Sequence, residues 1–151
     1  AAQAQTENLR VVMIRIGIVL TMGGGALPKM MRPYKMGLGG PMASGRQFFP
    51  WIHIEDLARV ILFALDETDL SGPINASVPV PPRQLEFAQA VGRAVGKPAF
   101  FWSPGFLIKM LLGERADILL ASQRVVPNVL KVKGFKFNFE DLDEALADLV
   151  P

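Results

Sequence analysis

The sequence predicts an α/β domain followed by a smaller, α-rich segment. A nearly continuous apolar run from Leu9 to Leu20, rich in Val and Ile, is typical of a parallel strand buried on both faces. Strand-like and helix-like patterns then alternate as far as residue 98, and the character of the chain changes near residue 100. These observations predict the order αβαβα, with a small α-rich appendix after about residue 98.

The first strand, LRVVMIRIGIVL, leads into the glycine loop TMGGGA. Ligands of open parallel sheets bind beyond the carboxyl ends of the strands, so this loop marks a possible ligand-binding edge. Arg15 interrupts the apolar run, and an unpartnered central arginine would be costly. We therefore expect Arg15 near the end of the strand, with a partner or a ligand. The segment ALPKMMRPYKMGLGG then predicts a short helix broken by Pro33 and closed by Gly37.

The middle of the chain holds a strand, a helix and a further strand. RQFFPWIHI has strand character, although Pro50 argues against a regular central strand. EDLARVILFALDE predicts a helix that begins with acidic residues, as the helix dipole favours. Its predicted apolar face consists of Leu57, Val60, Ile61, Ala64 and Leu65. SGPINASVPV predicts a turn and a short strand.

The remaining elements complete the α/β part and form the appendix. PPRQLEFAQAVGRAVGK predicts a helix that stops at Gly96. Beyond it, FFWSPGFLIKMLLGE is strongly apolar, with Pro104 suited to a helix start, and two short helical segments are separated by Pro127. FKFNF predicts a short strand, and EDLDEALADLV an acidic helix with Leu142, Leu146 and Leu149 on one side. We therefore divide the chain into residues 1–98 and an α-rich lobe, 99–151.

Composition narrows the classes of function. The 151 residues carry a formal net charge of +2 with scattered basic residues, so we expect no nucleic-acid partner. One histidine and no cysteine argue against disulfides and a zinc site, and we assign no metal ligands. No apolar run is long enough for a membrane span. We expect the cytoplasm as the location, with the interior of an organelle as the alternative.

Several motifs in order resemble one family. They are VVMIRIGIVL, GGGALPKMM, GLGGPMASGRQFFPWIHIEDLARVI, SGPINASVP, EFAQAVGRAVGKPAF and LLGERADILLASQRVVP followed by GFKF. Together they resemble the C-terminal half of atypical extended short-chain dehydrogenase/reductases, the sugar-nucleotide epimerase-like proteins. The resemblance is to the division-inhibitor-type epimerases that carry a small C-terminal domain of unknown function.

The resemblance implies the C-terminal part of a Rossmann-like NAD(P)-binding fold with a small α-rich substrate lobe. The family's nucleotide-binding glycine motif and its Tyr-x-x-x-Lys pair lie upstream and are not in this sequence, where Tyr34 is followed four residues later by Leu38. We therefore assign no catalytic residue. We expect the substrate-side half of an NAD(P)-dependent epimerase or oxidoreductase, a fragment or split subunit inactive alone. The alternative is a non-catalytic subunit or binding module on the same scaffold.

For the cofactor, NADP or NAD, the resemblance implies that most contacts lie in a missing N-terminal half. Arg15 and Gly17 match the family's R-x-G at the nicotinamide end of the cofactor, where a glycine allows close approach. Ile18 stands where many relatives carry a nucleotide-contacting asparagine, which argues against ordinary nucleotide-sugar recognition. The structural alternative for Arg15 is a packed stem whose head reaches water.

For the unknown small-molecule substrate, we name Arg46, Gln47 and His53 as candidates at the substrate-side rim. Arg46 suits a phosphate, since a guanidinium can bind phosphate in a bidentate manner, although a solvated loop arginine is the alternative. His53 could be an acid or base, but we favour packing and a backbone hydrogen bond. We expect Asp56 to cap the following helix and hold the preceding loop.

An isolated chain of this kind should expose an apolar edge at VVMIRIGIVL, because so apolar a strand requires neighbours. The expected neighbour is the missing N-terminal half or a partner subunit.

Overall fold

Two pairs of parallel strands form the centre of the computed structural model, which describes residues 10–103 and 122–150. Strand β1 (Val12–Ile16) pairs with β4 (Gly72–Ala76), and β2 (Ile18–Leu20) pairs with β3 (Trp51–His53). The helices are α1 (Leu27–Lys35), α2 (Ile54–Asp66), α3 (Gln84–Ala94), α4 (Asn128–Val132) and α5 (Leu142–Leu149). The helix start predicted at Pro104, and the first helical segment of the appendix, lie outside the described residues.

The β2–β3 pair separates two apolar clusters. Along β3, Trp51 packs into one cluster and Ile52 into the other, as the alternation of side chains along a strand requires. The α3 cluster includes side chains of α1, α3 and α5, among them Leu27, Phe87 and Leu146. The α2 cluster consists of Ile52, Leu57, Val60, Ala64, Leu70, Ile74, Ala76, Leu130 and Phe135.

The predicted burial on both faces holds for β2 but is wrong for β1. Val12 and Ile14 pack against the α2 cluster, whereas Met13, Arg15 and Ile16 are exposed. Among the described residues, β1 has a strand partner only along the edge that faces β4. Because β1 has a neighbouring strand on one edge only within the described residues, its apolar side chains Met13 and Ile16 are left exposed.

Gly17 divides the predicted first strand into β1 and β2. The Gly17 N–H donates to Ala76 O at the end of β4, while the next N–H, of Ile18, donates to Pro50 O before β3. A Cβ at Gly17 would lie 2.7 Å from Pro50 O. The chain can therefore change strand partners here only because position 17 has no side chain.

Three predicted elements differ from the structure. Pro33 does not break α1, because it lies near the end of the helix, where few hydrogen bonds remain to be lost; Gly37, with φ +75°, follows as predicted. The strand predicted over RQFFPWIHI is reduced to β3, as Pro50 cannot donate a ladder hydrogen bond. FKFNF forms no strand, because the Asn138 and Phe139 N–H groups donate to the Asp56 carboxylate.

The helices predicted at α2, α3 and α5 are confirmed, with a correction to the buried face of α2. α3 ends two residues before Gly96, which has φ +63°, and α5 buries Leu146, with Leu142 and Leu149 against the α3 cluster. On α2, Leu57, Val60 and Ala64 are buried as predicted, but Ile61 and Leu65 are exposed. The prediction placed all five residues on one buried face, whereas only Leu57, Val60 and Ala64 belong to the α2 cluster.

The described residues beyond position 98 contribute to both clusters. Leu130 and Phe135 belong to the α2 cluster, while Ala145 and Leu146 belong to the α3 cluster. The boundary at residue 98 stays a prediction, but these side chains share cores with residues 10–98. Within the described part of the chain, no helix is long and apolar enough to cross a membrane.

Replacing Gly17 with alanine should lower the free energy of unfolding by about 1–3 kcal/mol, the usual cost of forcing a group into packed space. The reason is the collision of the new Cβ with the Pro50 carbonyl. Gly23→Ala is the matched control, since its nearest neighbour would be Thr21 Oγ1 at 3.6 Å and it should change stability by no more than about 0.5 kcal/mol. Urea denaturation measures the free energy of unfolding of both variants. Equal losses in the two variants would contradict the role given to Gly17.

Candidate functional site

The carboxyl ends of β1 and β4 lie side by side and are crossed by residues 122–127. Asn75 Nδ2 donates to Val126 O at 3.1 Å, and Ser77 Oγ donates to Val125 O at 3.2 Å. This edge, which we call the carboxyl rim, is formed by residues 15–18, 75–77 and 122–126. It lies where ligands of parallel α/β sheets are usually found.

Arg15 lies one residue before the end of β1, beside Asn75 of β4, and is exposed. Val12 and Ile14 point to the α2 cluster, so strand alternation directs Arg15 to the opposite face. The expected position near the strand end is confirmed. Its guanidinium is accessible to a ligand at the carboxyl rim, and its part in cofactor binding stays a prediction.

Gly17 and Ile18 lie at the strand change, and their part in cofactor binding stays a prediction. The space beside the Gly17 Cα, expected to admit the cofactor, is filled by Pro50 O and Ala76 O. The Ile18 side chain packs against the α3 cluster. The absence of a side chain at Gly17 is therefore explained by the fold.

Arg46 is exposed, and two further arginines, Arg83 and Arg124, contact the loop that carries it. Arg83 Nη1 donates to the Arg46 carbonyl oxygen at 2.6 Å, and the Arg83 guanidinium lies 3.6 Å from the centre of the Phe48 ring. The Arg124 guanidinium lies 5.8 Å from the same ring. We call Arg46, Phe48, Arg83 and Arg124 the arginine group. The sequence analysis missed Arg83 and Arg124, which are remote from Arg46 in sequence, although Arg124 lies within the quoted motif LLGERADILLASQRVVP.

Gln47 is buried and hydrogen-bonded within its own loop. Its Nε2 donates to Met42 O at 3.0 Å, and its Oε1 accepts from Ser44 Oγ at 3.1 Å. The backbone carbonyl of Gln47 accepts from Gln84 N. The side chain therefore shapes residues 42–47, and direct contact with a substrate stays a prediction.

His53 is buried at the junction of β3 and α2. Its Nδ1 accepts from the Glu55 N–H at 3.2 Å and so caps α2, which places the proton of the neutral ring on Nε2. Nε2 lies 3.3 Å from Asp148 Oδ2 without a well-directed hydrogen bond, and the ring stacks on Phe139 with centroids 3.9 Å apart. The packing and the backbone hydrogen bond agree with the structural role expected for His53. Its contact with a substrate stays a prediction.

Asp56 connects α2 to the C-terminal segment. It is fully buried, accepts from the Asn138 and Phe139 N–H groups, and pairs with Arg59 at 2.7 Å. The expected role as helix cap is wrong, because the His53 side chain caps α2 and the Asp56 carboxylate accepts from the C-terminal segment instead. No local signal in the sequence reveals the contact, which spans 82 residues.

Tyr34 is held in a state unsuited to proton transfer near neutral pH. Its hydroxyl donates to Gly40 O at 3.0 Å, and burial raises the pKa of Tyr34 to about 12. A tyrosine that acts as a catalytic acid or base works best with a pKa nearer the operating pH. Tyr34 therefore fixes the turn at Gly40.

Comparisons with known proteins identify relatives of both parts of the chain. Residues 103–149 match a domain family described as a domain of unknown function, DUF1731. The chain is 45% identical over 151 residues to the mouse epimerase family protein SDR39U1 and 40% identical over 150 residues to the Staphylococcus aureus N315 protein SA0724. It covers 52% and 50% of those proteins.

A solved structure agrees with the fold. The crystal structure of the human epimerase family protein SDR39U1, isoform 2, with NADPH matches 93% of this chain and 48% of its own length. The TM-score is 0.88 and the sequence identity 41%. The fold is thus an α/β fold that matches the C-terminal part of NAD(P)-binding epimerase structures.

The predicted family resemblance is confirmed. The chain is homologous to epimerase family proteins over nearly its whole sequence and spans about half the length of the curated relatives it matches.

Replacing Asp56 with alanine should lower the free energy of unfolding by about 3–5 kcal/mol, the usual cost of leaving a buried charge network without one partner. The Asn138 and Phe139 N–H groups would lose their acceptor, so their amide hydrogen exchange should also accelerate. The control is Glu55→Ala, whose exposed carboxylate accepts, among the described residues, only from Asn138 Nδ2 and whose loss should cost about 1 kcal/mol or less. Similar losses for both variants would contradict the role of Asp56.

Proposed function

We propose that this chain supplies the substrate-side half of an NAD(P)-dependent epimerase- or oxidoreductase-like protein. The observation that carries the proposal is the match, at a TM-score of 0.88, to a human epimerase family protein crystallised with NADPH. The nucleotide-binding glycine motif and the Tyr-x-x-x-Lys pair are both missing from these 151 residues. We therefore propose that the chain binds cofactor only together with an N-terminal half.

The carboxyl rim offers a limited fit to a dinucleotide. The exposed guanidinium of Arg15 can donate to an anionic or carbonyl oxygen, whereas the exposed side chain of Ile16 lies on the other face of β1. Within the strand change, the Gly17 N–H already donates to Ala76 O, and the Ile18 N–H donates to Pro50 O. The pyrophosphate, which a glycine turn at a helix N-terminus normally binds, would be held by the N-terminal half. When bound, the cofactor supplies the hydride chemistry.

The arginine group supports an anionic small-molecule substrate. Arg83 supports the Arg46 backbone and covers one face of Phe48, so the loop carrying Arg46 is anchored. The Arg83 and Arg124 guanidinium groups at the Phe48 ring, together with the exposed Arg46 in the same loop, favour a ligand with phosphate or carboxylate oxygens. The role of these residues would be to bind and orient the substrate beside the cofactor.

The isolated chain should show no measurable NADPH binding by calorimetry, whereas a single polypeptide joining the unmatched half of mouse SDR39U1 to Ala1 should bind it. The physical reason is that the pyrophosphate site belongs to the added half. Tight binding by the isolated chain, or failure of the folded joined protein to bind NADPH or NADH, would contradict the proposal.

In the joined protein, Arg15→Ala should weaken NADPH binding about tenfold, which corresponds to about 1.4 kcal/mol. This is the size expected when a charged hydrogen bond is lost. Arg93→Ala is the matched control, because Arg93 forms an exposed ion pair with Asp143 between α3 and α5, away from the carboxyl rim. Equal affinities of the two variants would remove Arg15 from the cofactor site.

A further inference from the structure

Residues 122–127 cross the carboxyl ends of β1 and β4, and we call them the crossing segment. Two side chains at the end of β4 hold this segment. Ser77 Oγ donates to Val125 O at 3.2 Å. Asn75 Nδ2 donates to the next carbonyl along the chain, Val126 O, at 3.1 Å. Two successive carbonyl groups are therefore attached to the end of one strand.

The alternation of side chains along β4 directs Asn75 to the crossing segment. Ile74 and Ala76, on either side of Asn75, belong to the α2 cluster, so the Asn75 side chain points to the opposite face of the sheet. Arg15 is the partner of Asn75 in the parallel register with β1. Asn75 therefore meets the crossing segment on the face that also carries the exposed Arg15.

The two hydrogen bonds fix the rotation of the backbone as well as its position. Packing of apolar side chains has no preferred direction, whereas a hydrogen bond requires its donor to lie near the lone pairs of the carbonyl oxygen. Beyond the two carbonyls, Pro127 is buried, and Leu130 of α4 packs into the α2 cluster. The backbone from residue 125 to residue 127 is thus held on both sides of the sheet end.

Arg124 comes directly before these attached carbonyls, and its guanidinium lies 5.8 Å from the centre of the Phe48 ring. On the other side of Arg124, the Phe48 N–H donates to Ser122 Oγ over 3.4 Å. Attachment points therefore lie two residues before Arg124 and one residue after it, although the Arg124 side chain is exposed. A charged side chain loses less freedom when it binds an anion if its backbone is already fixed.

We propose that Asn75, together with Ser77, is a positioning residue for the anionic substrate, and that it acts through the crossing segment by holding Arg124 beside Phe48. The inference rests on the proposed function, which gives the arginine group to the substrate. The crossing segment lies within residues 103–149, which match a domain of unknown function. In this arrangement that part of the chain contributes an anion-binding side chain, and β4 supplies the hydrogen bonds that place it.

The test measures binding of inorganic pyrophosphate to the 151-residue chain by calorimetry, with urea denaturation to establish that each variant folds. Asn75→Leu removes the amide donor without adding a charge. Asn138→Leu is the matched control, because the Asn138 amide donates to Glu55 Oε1 at 2.9 Å and not to the crossing segment. Ser77→Ala is a second, smaller change that removes only the hydroxyl donor to Val125 O.

Arg124→Ala should weaken pyrophosphate binding about tenfold, as expected when one charged hydrogen bond is lost. Asn75→Leu should weaken it by a similar factor and Ser77→Ala about threefold, whereas Asn138→Leu should change it less than about twofold. The double variant Asn75→Leu/Arg124→Ala should bind no more weakly than Arg124→Ala alone, because both changes remove the same contact.

Independent effects of Asn75→Leu and Arg124→Ala would multiply to about a hundredfold, and that result would overturn the proposal. Wild-type affinity in folded Asn75→Leu would overturn it equally. If Asn75→Leu does not fold, the same comparison with Ser77→Ala, alone and combined with Arg124→Ala, gives the decision.

The NMR signal of the Arg124 Nε–H group separates this inference from the proposed function. The signal is identified by its loss in Arg124→Ala, and it should shift in Asn75→Leu but not in Asn138→Leu, because only the first change releases Arg124 from Phe48. A shift in a chain that binds no pyrophosphate would leave the positioning role standing and contradict the anionic substrate. Pyrophosphate binding with an unmoved Arg124 signal in Asn75→Leu would do the reverse.

Discussion

The buried carboxylate of Asp56 is the contact on which the arrangement of the C-terminal segment depends. It accepts from two consecutive N–H groups, of Asn138 and Phe139, and pairs with Arg59. A buried carboxylate requires such partners because its desolvation is otherwise very costly. With residues 138–139 fixed to the start of α2, Phe135 reaches the α2 cluster and α5 reaches the α3 cluster. One side chain thereby connects the start of α2 to the C-terminal segment.

Local patterns predicted the elements whose conformation depends on nearby residues. The buried core of α2, the stop of α3 before Gly96 and the amphipathic α5 agree with the structure, because helix periodicity and terminal signals lie within a few residues of each other. Arg15 lies near the end of β1 as predicted, but it does so because Gly17 ends that strand, not because a buried arginine is avoided. The family could be predicted because its motifs extend in order along most of the chain.

Features that depend on distant residues could not be predicted. Nothing near Gly17 shows that Pro50 O would occupy the space beside it, and nothing near FKFNF shows that Asp56 would take its N–H groups. The arginine group is likewise assembled from separate loops. Hydrophobic periodicity assigned Ile61 and Leu65 to the apolar side of α2, but periodicity cannot distinguish burial within the chain from burial against another body.

The attachment of Arg10 to the end of α2 also bears on the order in which the chain folds. The contact joins residues 54 to 60 positions apart, and its acceptors converge only after the last turn of α2 and the turn before β4 have formed. Closing so long a loop costs entropy that is recovered only at that late stage. We therefore expect α2 to be helical before β1 aligns with β4, so that the parallel β1–β4 pair completes the structure rather than nucleating it.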